Sequence, residues 1–152
     1  MNLFQGILLF LSAAIAGAIN SIAGGGSFIA FPALIFTGVP PINSNAICSV
    51  ALFPGSIASI GGYRLELIEE RKILPLMILT SLIGGIAALI FISAGVILWL
   101  QTCVMIIGAI IGGFWGAYYA RKYDPIKVRK IVIFIGSAMT LYFFARVYLF
   151  KP

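Results

Sequence analysis

No Asp, Glu, Lys or Arg occurs between Met1 and Tyr63, and none between Ile73 and Ala120. Two charge-free stretches of that length leave little choice of solvent. The chain is 62% hydrophobic and 9% charged, with mean hydropathy +1.15, whereas a soluble domain carries roughly 45–50% apolar and about 25% charged residues. A water-soluble fold of 152 residues has no interior large enough to hide that surface. The sequence therefore predicts an all-α integral membrane protein, because a helix satisfies its own backbone groups in lipid. At about 20 residues per crossing, the predicted architecture is a single transmembrane domain over 1–152. It has about five transmembrane helices plus one glycine-broken half-helix or re-entrant segment.

The formal charge of +6 is explained by where the charges lie. Tyr63–Lys72 (YRLELIEERK) and Arg121–Lys130 (RKYDPIKVRK) read as loops, the second with five Lys/Arg and one Asp. Basic loops set topology, so Arg121–Lys130 is expected on the cytoplasmic side of a multi-pass cell-membrane protein, Tyr63–Lys72 shares that side because two spans separate them, and nucleic acid is not an expected partner. The lipid bilayer is. Cys48 and Cys103 sit in apolar runs and the chain has no histidine, so neither a disulfide framework nor a metal site is indicated. No cofactor motif is present, and no nucleophile stands beside a base, so an enzyme is not expected. Ala16-Gly17-Ala18 resembles a signal-peptide cleavage site but no basic segment precedes it, so the first span is expected to stay.

Leu3–Ala23 is long enough to cross. Ser27–Gly38 would rise only about 18 Å as a helix, against a hydrocarbon core of about 30 Å. Read as re-entrant, it starts Met1 on the inside. Ile42–Gly62 forms a further span with an expected kink at Pro54-Gly55. Ile73–Ala120 gives two spans turning near Ser93-Ala94-Gly95, and Ile131–Phe150 gives the last. Gly108, Gly112 and Gly116 repeat every four residues, the small-residue pattern that lets another backbone approach closely.

The break itself lies in Asn20–Pro41, NSIAGGGSFIAFPALIFTGVPP. Irregular backbone at membrane depth survives only beside protein or a wet cavity. Ser27 stands where a helix N-cap would be, and a helix start offers free N–H groups and the positive end of the dipole to an anion. Broken helices near the midplane are also how many secondary transporters hold substrate. A tight turn with close packing explains the glycines equally well. Asn20 lies four residues before Gly24, on the same helical face, and either bonds the broken backbone or faces a ligand. Asn43, Ser44, Asn45 and Ser49 form a second polar group that ordinary capping and solvation can account for.

These residues in this order resemble the sulfite exporter TauE/SafE family of multi-spanning anion permeases. AGAINSIAGGGSFIAFPALIFTGVPPINSNA is similar to the family's first-half signature, and PGSIASIGGYRLEL continues it. GAIIGGFWGAYYARKYDPIKVRKIVIFIGSAMTLYFF resembles its C-terminal end. Residues 1–87 thus resemble the first half, and 88–152 the end of the second, with the middle absent and the signature present once. Ile47 and Cys48 stand where the family usually shows Thr and a small polar residue. The resemblance implies a permease for sulfite or a related sulfur-containing or organic anion. Asn20, Gly24, Gly25, Gly26, Ser27, Pro32 and Asn45 would line its site. A homodimer, joined for instance through the Gly108/Gly112/Gly116 face, would restore two halves by symmetry. The alternative is a shortened relative that does not transport and acts in assembly or is inactive.

Overall fold

The computed structural model describes residues 2–69, 74–120 and 125–148, and all its regular elements are helices. They are α1 (Leu3–Ala23), α2 (Ser27–Phe36), α3 (Pro41–Glu69), α4 (Leu74–Ser93), α5 (Trp99–Ala120) and α6 (Pro125–Tyr148). Among the described residues three helices are long and apolar enough to cross a membrane, over Leu3–Ile22, Pro41–Gly62 and Trp99–Tyr119. Shorter apolar stretches fall in α2, α4 and α6.

The packing is built on absent side chains. A Cβ on Gly108 would lie 2.5 Å from the Phe10 carbonyl oxygen, and one on Gly116 would lie 2.8 Å from Ala18 Cβ. Between them Gly112 sits against Ala14. On the neighbouring face of α5, a Cβ on Gly113 would meet the Gly55 carbonyl carbon at 3.0 Å, and Gly62 faces Ala117. Helix α5 is therefore the centre, with α1 on one small-residue stripe and α3 on the other. Bulky side chains point outward instead: Ile7, Leu11 and Ile15 on α1, and Ile107, Phe114 and Trp115 on α5, are exposed. Lipid tails are as apolar as leucine, so helices in lipid associate by close backbone packing rather than by hiding large side chains.

The contact pairs also give direction. Phe10–Gly108, Ala14–Gly112 and Ala18–Gly116 advance together, so α1 and α5 run parallel, and Gly55–Ala109 followed by Gly62–Ala117 makes α3 parallel to α5. Helix α4 returns the chain, its Ala88 packed with Ala46 and Val50 of α3. Between α1 and α3 that return is made by α2. Gly26, at its start, packs on Ala16 and Asn20, whereas Thr37, at its end, accepts a hydrogen bond from Gln5 Nε2 (3.4 Å).

This corrects the re-entrant expectation. The half-helix is real, but it leads back to the end of the bundle where α1 begins, so the start of α1, expected on the inside, belongs to the end opposite the two charged segments. The apparent shortfall in length is met by the turn lying below the top of α1 and by Thr37–Pro40. A Schellman-type cap ends α2: Val39 N–H bonds Leu34 C=O at 3.1 Å, Gly38 N–H bonds Ile35 C=O at 3.0 Å, and Gly38 has φ +86°.

Helix α3 runs on through Pro54, and Gly55 serves close contact with α5. Tyr63–Glu69 continues α3 and Pro125–Lys130 opens α6, so much of both charged segments, expected as loops, is helical. Residues 70–73 and 121–124 lie outside the described residues. The turn expected at Ser93-Ala94-Gly95 is present, with Gly95 at φ +68°.

Candidate functional site

The three consecutive glycines have different jobs. Gly24 closes α1 at φ +72°, ψ 174°, a region that belongs almost wholly to glycine. Its N–H still bonds the Asn20 carbonyl at 3.3 Å, and a Cβ there would meet nothing within 4 Å. Gly25, at φ +85°, completes the reversal. Gly26 has ordinary helical angles but is buried, and a Cβ there would lie 2.8 Å from the Ala16 carbonyl carbon and 3.0 Å from Asn20 Cβ. Two glycines make the turn and the third brings α2 onto α1.

Ser27 is the first residue of α2 rather than its cap; Gly26 occupies the cap position and supplies no side-chain hydrogen bond. Phe28 N–H bonds Gly25 C=O at 3.0 Å, and Ile29 N–H bonds Gly26 C=O at 3.1 Å. Among the described residues the N–H groups of Gly25, Gly26 and Ser27 have no partner. Three successive free donors at the positive end of a helix are what an oxyanion requires.

Asn20 stands beside them, held in a defined orientation. Its Nδ2 donates to Ser56 Oγ at 2.9 Å, while Ser56 Oγ donates to the Leu52 carbonyl at 3.1 Å. The serine's single proton is committed to Leu52, so the atom facing Ser56 must be the amide nitrogen. Asn20 thus bonds a neighbouring helix rather than the broken backbone, and one Nδ2 hydrogen and Oδ1 remain uncommitted. Ser56 was not singled out as a site residue in the sequence. The available signal was a hydroxyl in an apolar helix, which by itself marks only back-bonding to the preceding turn.

The other expected residues lie elsewhere. Pro32 is buried in the middle of α2, where its missing N–H frees the Phe28 carbonyl. Asn45 is exposed; it lies on the same helix as Ser56 but about 16 Å away along the axis, at ~1.5 Å per residue. The structure therefore brings together Asn20, Gly24, Gly25, Gly26 and Ser27, adds Ser56, and does not bring Asn45 to them. Of Asn45's polar neighbours, Asn43 Nδ2 bonds the Val96 carbonyl at 2.6 Å and Ser44 Oγ bonds that of Val39 at 3.2 Å. Both tie the lower end of the bundle together. Ile47 and Cys48 are core residues, 0% and 3% exposed.

Depth follows from α5. Trp99 and Tyr119, 58% and 41% exposed, are separated by about 30 Å of helix, the thickness of the hydrocarbon core, and interfacial aromatics sit at that boundary. Trp115 stacks on Tyr119 with ring centroids 5.9 Å apart, and Tyr118 meets Tyr119 edge-on at 5.5 Å. Gly116 is level with Ala18, and Gly26 packs between Ala16 and Asn20. The break therefore lies about 5 Å inside the Tyr119 boundary and about 10 Å from the middle of α5. It is not at the midplane.

Below it, a groove of about 580 Å³ runs between α2 and α6, lined by Phe28, Ile133, Gly136, Thr140 and Phe144 among others. The Gly108/Gly112/Gly116 face expected as a homodimer contact is covered by α1 of the same chain. A second copy would have to use another surface.

No solved structure matches the chain. It is 32% identical over 83 residues to a probable membrane transporter protein, ORF9, of a Sinorhizobium species, an alignment covering 54% of this chain and 32% of that relative. The chain spans about a third of the length of this curated relative. The family model described as sulfite exporter TauE/SafE matches residues 9–94, which include most of α1, the glycine break, α2, the Asn20 partner on α3, and α4. With more than half of its length matched in this way, the chain belongs to the sulfite exporter TauE/SafE family.

Proposed function

We propose that the chain is a membrane transporter for sulfite or a related sulfur-containing or organic anion, held at the break between α1 and α2. The observation that carries this reading is the run of three unpartnered N–H groups on Gly25, Gly26 and Ser27, beside the fixed amide of Asn20. Unpaired backbone groups cost several kcal/mol each in hydrocarbon, so a wet cavity or a ligand must serve them. An oxyanion with several acceptor oxygens can take all three donors and the second Nδ2 hydrogen. The family and the curated relative supply the transport class. Residues 1–152 act as one transmembrane domain, and the basic segment 121–130 faces the cytoplasm by the positive-inside rule, with 63–72 at the same end. The opposite end of the bundle, where α1 begins, then faces outward.

Sulfite flux into proteoliposomes tests the reading, with Asn20→Ala and Gly24→Ala compared against the parent. Loss of flux in correctly inserted, folded variants supports it; unchanged flux in both removes the site. A second reading, a non-transporting assembly protein, is favoured by one observation. Ile47 and Cys48 are sealed in the core and give no polar lining where the family usually places hydroxyls. That reading predicts no sulfite flux in any variant.

A further inference from the structure

The face of α6 that borders the groove does not stop at Ile133. Ile133, Gly136, Ser137, Thr140, Leu141 and Phe144 follow helical spacing, and continuing that stripe toward the start of α6 gives Lys130, with Lys127 higher and about 110° round the helix from the centre of that face. Both lysines are exposed. The direction of α6 decides where they stand. A Cβ on Gly136 would lie 3.6 Å from the Phe28 ring, and Tyr142 lies near Phe36, with ring centroids 6.5 Å apart. Helices α2 and α6 therefore run parallel. Moving from Gly136 back to Lys130 rises about 9 Å, past Phe28 and beyond the first turn of α2. Lys130 thus begins about 5–8 Å above the Gly25–Ser27 donors along the axis, and Lys127 stands one turn higher.

From this placement we propose that Lys130, with Lys127 above it, forms an electropositive mouth over the break, steering the anion to its amide donors from the end of the bundle that holds the basic segment 121–130. The inference rests on the anion site proposed above and adds its entrance and its recognition at long range. That end of the bundle carries Arg64, Arg71, Lys72 and the five Lys/Arg of residues 121–130 against Glu66, Glu69, Glu70 and Asp124, eight cations against four acids, so the net charge there is positive. Tyr119 marks the hydrocarbon boundary at the same end, which puts the lysines at or beyond the edge of the hydrocarbon. A like-signed, half-shielded mouth raises the local concentration of an opposite charge and speeds its arrival by about 10- to 1000-fold in general, an effect that falls steeply with ionic strength.

The test is sulfite flux in proteoliposomes with the substrate presented at either face, at low and high inert salt. The variants are K127Q/K130Q, with K127R/K130R as the charge-retaining control. The Debye length falls from about 10 Å at 0.1 M to about 3 Å at 1 M salt, so the mouth works only at low salt. The expected result for the parent and the Arg variant is a KM several-fold lower at low salt, from the lysine face only. The Gln variant keeps its maximal rate but shows the higher KM at both salt concentrations. A Gln variant with the parent's KM and salt response overturns the proposal and leaves the anion site standing. No sulfite flux by the parent overturns both.

Discussion

Gly112→Ala adds a single methyl group at the tightest part of the α1–α5 contact, and its cost can be worked through. The new carbon would lie 2.5 Å from the Ala14 carbonyl carbon and 2.8 Å from Ala14 Cα, where carbon atoms prefer about 3.5–4.0 Å. Both obstacles are backbone, so no side chain can turn aside, and the helices must part by about 1 Å. A gap of ~0.5–1 Å forfeits a quarter to a half of each contact's ~0.1–0.2 kcal/mol. Over roughly 30 stretched atom pairs along Gly108, Gly112 and Gly116, that is about 2 kcal/mol, within the ~1–3 kcal/mol typical of overpacking. Alanine returns about 1 kcal/mol through its helix propensity, leaving a net loss of about 1 kcal/mol.

Gly84→Ala is the matched control. It is the same substitution in the interior of α4, where a Cβ meets nothing within 4 Å, so it should gain about 1 kcal/mol. The two variants should therefore melt about 4–8 °C apart, at roughly 2–4 °C per kcal/mol. Cys48 is a built-in probe: it is 3% exposed, and in a Cys103→Ser background a thiol-reactive dye reports its unmasking on heating in nanodiscs. If Gly112→Ala melts with Gly84→Ala, above the parent, then α1 and α5 are not in backbone contact and the parallel bundle described here is wrong.

Three other outcomes follow from the same geometry. Gly24→Ala places a side chain at φ +72°, ψ 174°, costing about 1–3 kcal/mol of strain although the space is open; its melting point should fall and Gly24→Asn should not restore it. Ser56→Ala should raise the KM for sulfite by releasing the Asn20 amide, at a stability cost of about 1 kcal/mol for the lost hydrogen bond, and Ser56→Thr should preserve both. Single cysteines at Asn2 and Ala94, in a background lacking the native two, should label with an impermeant maleimide from one face of the membrane and one at Tyr119 from the other. Labelling of Asn2 and Tyr119 from the same face would reinstate a re-entrant α2.

The membrane, the helices and the place of the break were legible in the residues, because each is a local consequence of solvent. A charge-free run dictates lipid, lipid dictates helix, and three glycines before a short apolar segment dictate a break. Even the boundaries of Leu3–Ala23 and the turn at Gly95 needed only capping and hydropathy. The partners of each helix were not legible. The GxxxGxxxG stripe announces a close neighbour but does not say whether that neighbour is α1 or another copy, since any small-residue face accepts either. Direction was equally hidden. Ten residues of α2 look too few to cross until the fold shows that the turn starts below the top of α1 and that Thr37 comes back to Gln5. Nor could spacing alone bring Ser56 to Asn20, or set Asn45 on the same helix as Ser56 yet about 16 Å from it. The sequence determined what each segment must be in lipid. Only the tertiary structure decided which backbone each glycine admits, and that choice places the free amides and the lysines above them.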